Sequence, residues 1–290
     1  MWRKWWLVIF LQALSMVAQA QNVVVLASIE PLAQVLRELY QEQPHIEVQT
    51  LLLPQQNPHH ASLTPGQARR VLTSHMVVWL GEEAEPHIAS VVNQHAKTQV
   101  PLSELPNVMR LQEVEAAGEG HLDPHLWLAP QNIRVLVKAL GEHVGTLQLD
   151  DAAWQQAQGT FLTQLTAAEE QVKKRLAPYS AAAYLSHHDA WGYFAESFQL
   201  RRPLVVATQI DGEASSRRVV ALRKAMKEEQ VRCVMAEPEA RKGLLRRLCD
   251  EGCVLYEVDP LGRAQQGPYT AFLRYLGEQF AACFAGEPQH

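Results

Sequence analysis

The sequence lacks several features that would assign it to a class at once. After residue 20, no run of residues is apolar and long enough to cross a membrane, which takes about 20 residues. Lys and Arg number 26 against 31 Asp and Glu, the net charge is −5, and there is no basic cluster. An acidic chain of this kind is not expected to bind nucleic acid. With 47% hydrophobic and 20% charged residues, the composition is that of a globular protein and argues against disorder.

The first 20 residues have the pattern of a signal peptide. Arg3 and Lys4 supply positive charge, Trp5 to Val17 is mostly apolar, and Ala18-Gln19-Ala20 gives the small residues of a cleavage site. The alternative is a membrane anchor, for which the apolar run is too short. No Cys lies near the cleavage site, which disfavours a lipid-anchored protein. We therefore expect an exported protein that is cleaved after Ala20.

Cysteine is scarce, and the zinc-protease motif His-Glu-x-x-His is absent. The 4 Cys residues are Cys233, Cys249, Cys253 and Cys283. In an exported protein, an even number suggests disulfides. Cys249 and Cys253 could instead form half of a soft metal site, although no second Cys pair or nearby His completes it. A zinc-dependent hydrolase remains an alternative function, although the sequence shows neither this motif nor a residue that can be assigned as general base.

Strand and helix patterns alternate in both halves of the chain, which predicts parallel sheets covered by helices. A helical stripe of apolar residues between them favours a long helix, about 38 Å at 1.5 Å per residue. We therefore predict an α/β protein of two lobes, each a mainly parallel sheet flanked by helices, joined by a long rigid helix. The expected bounds are 1–20 for the signal peptide, 21–149 for the N-terminal lobe, 150–177 for the linking helix and 178–290 for the C-terminal lobe.

The predicted elements follow from local patterns. Thr64 is placed to cap a helix that Pro65 opens. A further helical pattern runs from Ile133 to Leu147, and Gly145 weakens it. The predicted strands are Asn22 to Ala27, Ile46 to Leu53, Met76 to Leu80, Ala182 to Ser186, Leu204 to Thr208, Arg232 to Ala236 and Val254 to Val258.

Histidine, by contrast, is plentiful, with 12 residues. Three stand in similar contexts, in Asn57-Pro58-His59, Asp123-Pro124-His125 and His187-His188-Asp189. All three contexts are expected in loops at or just beyond strand ends, where open α/β sheets bind ligands. Three imidazoles with a carboxylate or water would complete a tetrahedral zinc site, and Asp189 could orient the ring of His188. Any one of these residues alone would more often be a surface or cap residue. The rest are expected to be scattered surface or core residues: His45, His75, His87, His95, His121, His143 and His290.

These motifs resemble those of a known family, the metal-binding subunits of ABC importers of the cluster A-I or cluster 9 type. The resemblance covers nearly the whole chain after residue 20 and is strongest in its zinc-binding branch. The matching segments are Ser28-Ile29-Glu30-Pro31-Leu32, Asn57-Pro58-His59, Val77-Val78-Trp79-Leu80-Gly81, Asp123-Pro124-His125-Leu126-Trp127-Leu128, His188-Asp189-Ala190-Trp191-Gly192-Tyr193-Phe194, Glu237-Pro238 and Asp259-Pro260-Leu261-Gly262.

The resemblance implies a function and a ligand set. His59, His125 and His188 are the implied ligands, and Asp259 falls where family members carry an acidic residue at the metal site. The implied activity is high-affinity capture of Zn²⁺ in the periplasm as a transported ligand and its delivery to an inner-membrane ABC permease, by a chain expected to be a monomer. Manganese-binding relatives place a carboxylate where this chain has His188, and imidazoles favour zinc. A manganese or iron carrier, and a non-transport adhesin of the same fold, remain alternatives.

Two further points come with the resemblance. Cys233 and Cys283 match a disulfide of some zinc-binding members, whereas Cys249 and Cys253 match nothing in the family, so that a second, short-loop disulfide is a guess. Zinc-binding members often carry a long loop rich in His and acidic residues before the Asp-Pro-His motif. Here the segment 113–122 is short, and His121 is its only His. We therefore do not expect this loop to serve in zinc sensing or delivery.

Overall fold

The computed structural model of the chain describes residues 22–113, 121–207, 215–249, 252–265 and 267–289. The expected signal peptide and its cleavage site after Ala20 lie outside the described residues, as does most of the short segment before Asp123. Among the helices in those ranges, none combines the length and the apolar character that a membrane span needs.

The N-terminal lobe is built on a four-stranded sheet in the order β2-β1-β3-β4, with every neighbouring pair parallel. The strand β3 is buried at every position, which explains its unbroken apolar sequence. The strands are β1 (Val23–Ala27), β2 (Ile46–Thr50), β3 (Met76–Trp79) and β4 (Gln99–Pro101). The flanking helices are α1 (Glu30–Leu39), α2 (Pro65–Thr73) and α3 (Pro86–His95).

Helix α2 begins as its sequence predicts. The hydroxyl of Thr64 accepts a hydrogen bond from the backbone N–H of Gln67, and the side chain of Gln67 accepts one from the backbone N–H of Thr64. This capping box satisfies two N–H groups that would otherwise have no partner in the first turn. The loop that precedes α2 is thereby fixed at its far end.

Helix α4 (Pro130–Leu140) is shorter than the predicted helical pattern, which runs on to Leu147. The chain leaves the helix at Gly141, where an added Cβ would lie 2.9 Å from Nε1 of Trp154. The indole therefore needs a glycine at this place. Leu147 is still buried after the turn, which is why the apolar pattern continues beyond the helix that it suggested.

Helix α5 (Asp151–Leu176) is the predicted long helix. Its 26 residues span about 39 Å at 1.5 Å per residue, and the side chain of Asp150 caps it by accepting from the N–H of Ala153. It packs along the C-terminal helix α9 (Tyr269–Ala285). An added Cβ on Gly277 would lie 2.9 Å from the side chain of Val172, so the two helices are in close contact.

The C-terminal lobe repeats the design of the first, with a parallel sheet in the order β6-β5-β7-β8. The strands are β5 (Tyr184–Ser186), β6 (Leu204–Val205), β7 (Cys233–Ala236) and β8 (Val254–Glu257). In addition to α9, the helices of this lobe are α6 (Gly192–Phe198), α7 (Ser216–Glu228) and α8 (Lys242–Leu248). The two parallel sheets and the long helix confirm the predicted fold class.

All the cysteines are paired. Cys233 and Cys283 join β7 to α9, and Cys249 and Cys253 close a short loop after α8. Both sulfurs of the second pair are therefore used in a covalent bond. The idea that Cys249 and Cys253 form half of a soft metal site is wrong for this structure, and the guess of a short-loop disulfide is confirmed.

Polar contacts tie the loop after β8 to the first half of the chain. The indole N–H of Trp127 donates to the carbonyl oxygen of Pro260 at 2.8 Å, and the hydroxyl of Tyr269 donates to the carbonyl of Trp127 at 2.7 Å. The side-chain amide of Gln34 donates to the carbonyl of Gln265 at 2.9 Å. These bonds and the shared helix restrain the lobes, so a wide hinge opening is not expected.

Candidate metal centre

Three histidine-bearing loops meet between the lobes. His59 lies between β2 and α2, and His188 follows β5. The expectation of a strand end is wrong for His125, which lies just before the short 3₁₀ helix Leu126–Leu128. The ring centroids of His59 and His125 are 5.2 Å apart, those of His125 and His188 are 5.2 Å apart, and those of His59 and His188 are 5.9 Å apart. One nitrogen from each ring falls within 4.8 Å of the others.

The first two histidines are positioned by the same local device. The side-chain oxygen of Asn57 accepts from the N–H of His59 at 3.0 Å, and that of Asp123 accepts from the N–H of His125 at 3.0 Å. Such bonds from residue i to residue i+2 define a tight turn of Asn or Asp. A proline stands between the two residues in each turn and restricts the backbone further. The repeated Asx-Pro-His sequence is thus a way of presenting an imidazole at a loop tip.

Asp123 also fixes the ring of His125. Its Oδ1 lies 2.8 Å from Nδ1 of His125, and both side chains are buried. An Nδ1–H that donates to this carboxylate leaves Nε2 with a free lone pair, which is the arrangement of many metal-binding histidines. Room for the carboxylate comes from Gly192, where an added Cβ would lie 2.7 Å from the second oxygen of Asp123.

Glu237 is the buried carboxylate that lies beside Nδ1 of His188. It follows β7, and His188 follows the neighbouring parallel strand β5, so the two side chains emerge at the same edge of the sheet. Oε1 of Glu237 lies 3.0 Å from Nδ1 of His188, while Oε2 lies 3.6 Å from Nδ1 of His187. All three side chains are buried. His187, His188 and Glu237 also form a possible ligand group by distance, but the carboxylate lies at Nδ1 and leaves Nε2 of His188 directed at the other ring.

The two buried nitrogens have the spacing of zinc ligands. Nε2 of His188 and Nε2 of His125 are 3.3 Å apart. Two nitrogens on a tetrahedral zinc are separated by about 3.3 Å, as follows from a Zn–N distance of about 2.0–2.1 Å. A cavity of about 20 Å³ opens beside them and is bordered by His59, His125 and Trp127. This is room for about one water-sized particle.

The pKa values of the two buried rings, His125 and His188, are shifted in opposite directions. Burial and the charge of His188 lower the pKa of His125 to about 3, so this ring is neutral at pH 7. Burial alone would lower the pKa of His188, but the carboxylate of Glu237 outweighs it and raises the pKa above its ordinary value. Burial raises the pKa of Asp123 to about 7. Burial would also raise the pKa of Glu237, but the charge of His188 and the contacts with the rings of His187 and His188 bring it down to about 2. A proton on Nε2 of His188 would point at Nε2 of His125, where a metal ion would also lie.

Asp259, the fourth predicted site residue, lies beside the three histidines but does not join them. It borders the same small cavity, and yet the group of nitrogens within 4.8 Å of one another includes no oxygen from it. Its Oδ2 accepts from Nε of Arg263 at 2.8 Å and its Oδ1 accepts from Nη2 of Arg263 at 3.1 Å. In this structure, therefore, both carboxylate oxygens of Asp259 are hydrogen-bonded to Arg263.

Sequence reasoning missed the residues that orient the rings. Asp189 was expected to orient His188, but an oxygen of Asp189 lies 3.6 Å from Nη1 of Arg202, and Glu237 is the carboxylate at the His188 ring. The signal was present, because Glu237 directly follows a predicted strand. The role of Glu237 can be assigned only when β7 is known to lie next to β5, the strand that precedes His188.

The remaining histidines have other surroundings. His75 accepts from the N–H of Val24 through Nδ1 at 3.0 Å, and the ring of His60 lies 5.9 Å from that of His87 at the surface. His290 lies outside the described residues. In the ranges that the structure describes, neither group of possible ligands found includes any of these rings.

The sequence has relatives with a known role. Residues 25–283 match the family model of ZnuA, the periplasmic component A of the zinc-uptake complex. The high-affinity zinc uptake system protein ZnuA of Yersinia pestis is 26% identical over 264 residues, which cover 80% of this chain and 83% of that protein. The protein of the same description from Paracoccus denitrificans is 24% identical over 274 residues, covering 80% and 83% of the two chains.

Solved structures share the fold. A crystal structure of ZnuA superimposes with a TM-score of 0.78 at 17% identity, covering 90% of this chain and 99% of that one. The laminin-binding protein Lmb of Streptococcus agalactiae, a bifunctional protein with adhesin and metal-transporting activity, gives a TM-score of 0.76 at 17% identity, covering 91% of this chain and 100% of that one. At this level of identity, the likeness establishes the two-lobe architecture.

Proposed function

Because the chain belongs to the ZnuA family of periplasmic zinc-uptake components, we propose that it captures Zn²⁺ with His59, His125 and His188 and delivers it to an inner-membrane ABC permease. Members of this family are solute-binding components of transporters, so the chain is a carrier and not an enzyme. The ion is its cargo. Residues 1–20 act as the signal peptide, cleavage follows Ala20, and the mature chain works as a monomer.

One observation carries the assignment of the site. Two buried imidazoles, each held at Nδ1 by a buried carboxylate, face one another through Nε2 at 3.3 Å, and a third ring stands within 5.9 Å of both. Lone pairs placed so close together repel one another unless a cation or a proton lies between them. A divalent cation that accepts imidazole nitrogens satisfies all three rings at once.

The chemistry of the donors favours zinc over manganese. Imidazole suits zinc, whereas manganese prefers oxygen ligands. The carboxylates nearest the rings, Asp123 and Glu237, are placed to orient imidazoles and supply no oxygen to the cation in this geometry. Asp259 or a water molecule completes the four ligands in the proposal, and Asp259 can do so only by leaving Arg263.

Metal titration tests the proposal directly. The mature chain and its His59→Ala, His125→Ala and His188→Ala variants are titrated with Zn²⁺ and Mn²⁺ against a competing chelator. We expect one tightly bound Zn²⁺ per chain, weaker Mn²⁺, and a large loss of zinc affinity in each variant. His95→Ala is the matched control, since His95 is an exposed residue at the end of α3. Tight binding that survives all three substitutions would refute the site.

Delivery to a permease needs a test in cells. A strain that lacks its own zinc carrier, but retains the matching permease, is supplied with this chain under zinc limitation. We expect growth to be restored by the unaltered chain and not by His125→Ala. Growth that is restored equally by both would show that capture at this site is not what the permease requires.

A further inference from the structure

Arg263 stands at the edge of the candidate metal centre, and each nitrogen of its guanidinium has a partner. Nε and Nη2 bind the two oxygens of Asp259, and Nη2 also lies 2.6 Å from a carboxylate oxygen of Glu239. Nη1 donates to the carbonyl oxygen of Pro54 at 3.0 Å. Pro54 belongs to the loop that carries His59, so the guanidinium joins the C-terminal loop to a metal-binding loop of the other lobe.

The carboxylate of Asp259 is saturated by these and two further donors. Its Oδ1 also accepts from the N–H of Leu261 at 3.0 Å, and its Oδ2 accepts from the N–H of Arg263 at 2.9 Å. The side chains of Asp259 and Arg263 are only 13% and 15% exposed. A paired, partly buried Arg–carboxylate contact with two parallel hydrogen bonds is among the stronger polar interactions in proteins. Asp259 can reach a metal only after this contact breaks.

We propose that Arg263 sets the metal preference of the site by holding Asp259 out of the coordination shell. This inference rests on the proposed function. Asp259 borders the same cavity as His59 and His125, and an oxygen ligand there would make the site more favourable to Mn²⁺. With Arg263 in place, the cation meets imidazole nitrogens, and the preference is for Zn²⁺.

A purely structural role for Arg263 makes a different prediction. If its contact with Pro54 mattered only for positioning His59, removing the guanidinium would weaken Zn²⁺ and Mn²⁺ together. If Arg263 withholds Asp259, its removal raises the affinity for Mn²⁺ relative to Zn²⁺. The ratio of the two affinities therefore separates the two roles.

The experiment uses the mature chain, Arg263→Gln, Arg263→Gln combined with Asp259→Asn, and Arg37→Gln as the matched control. Arg37 pairs with Glu30 and borders the larger neighbouring cavity of about 740 Å³, whose lining includes none of the three histidines. Competition titrations with Zn²⁺ and Mn²⁺ should show the Mn²⁺-to-Zn²⁺ affinity ratio rising about tenfold in Arg263→Gln, since the site gains an oxygen donor. The added Asp259→Asn should remove that gain, and Arg37→Gln should leave the ratio unchanged.

A measurement on the unaltered chain keeps the inference testable even if Arg263→Gln does not fold. In a crystal structure of the zinc-loaded chain, both oxygens of Asp259 should remain on Arg263. An Asp259 oxygen at about 2.0–2.2 Å from the zinc would overturn the inference. So would an unchanged affinity ratio in a folded Arg263→Gln variant. If the unaltered chain binds no Zn²⁺, the proposed function itself fails; if it binds through the three histidines and the ratio does not move, only the role of Arg263 fails.

Discussion

The replacement Glu237→Gln tests how the site uses its buried carboxylates. The glutamine has nearly the same volume and can place an oxygen beside Nδ1 of His188 as the carboxylate does, but it carries no charge. Carboxylates that hold a ligand histidine in this way strengthen it as a donor, and their loss typically weakens metal binding about 10- to 100-fold. That range corresponds to about 1.4–2.7 kcal/mol. Because Glu237 is completely buried and contacts both His187 and His188, we expect a loss within this range at pH 8.

The pH dependence separates charge from shape. Glu237 raises the pKa of His188 above its ordinary value, and a proton on that ring competes with Zn²⁺. In the unaltered chain, zinc affinity should therefore begin to fall at a pH above about 6.5. In Glu237→Gln the pKa of His188 is lower, so the fall starts at a lower pH. The difference between the two proteins should be largest at pH 8 and smaller at pH 6.

Competitive zinc titrations at pH 6, 7 and 8 provide the assay, with thermal unfolding of the metal-free proteins to confirm that each variant folds. Glu257→Gln is the control, because Glu257 is an exposed residue at the end of β8 that pairs with Lys242. Zinc affinity of Glu237→Gln within about threefold of the unaltered chain at pH 8, about 0.7 kcal/mol, would refute the reasoning. A difference that does not change with pH would refute the role of charge.

Further predictions concern stability, measured by denaturant unfolding. Replacing Cys233 and Cys283 by serine removes a link across 50 residues and should cost about 4 kcal/mol, whereas replacing Cys249 and Cys253, 4 residues apart, should cost about 2 kcal/mol in the chain-entropy model; equal losses would contradict it. Burial raises the pKa of Glu85 to about 7. The charged form of Glu85 therefore lowers the free energy of unfolding above that pH, and this destabilisation decreases as the pH falls from about 7 towards 4.5. Glu85→Gln should therefore be more stable than the unaltered chain at pH 8 and show a smaller difference at pH 5; a constant difference would count against this.

Much of the fold could be predicted because its signals are local. The apolar strand β3, the capping box of Thr64 and the stripe along α5 each depend on neighbours in sequence. The end of α4 could not, since it is set by the close approach of Trp154 to Gly141. An apolar pattern cannot show which distant ring will need the space.

The residues of the candidate site could likewise be predicted from the sequence only in part. The Asx-Pro-His turns carry their own geometry in their sequence, so His59 and His125 were recognisable. Glu237 was not assigned a role, because its contact with His188 depends on the order of strands in the sheet. The engagement of Asp259 by Arg263 was also missed, since a salt bridge four residues apart looks like an ordinary surface pair in the sequence.

X-ray absorption at the zinc edge of the loaded, mature chain shows directly whether three histidines hold the cation. We expect three imidazole nitrogens at about 2.0–2.1 Å from the zinc, and His59→Ala, His125→Ala and His188→Ala should each reduce that number by one or abolish binding. A spectrum with fewer than three imidazoles in the unaltered chain, or one that none of these substitutions changes, would contradict it.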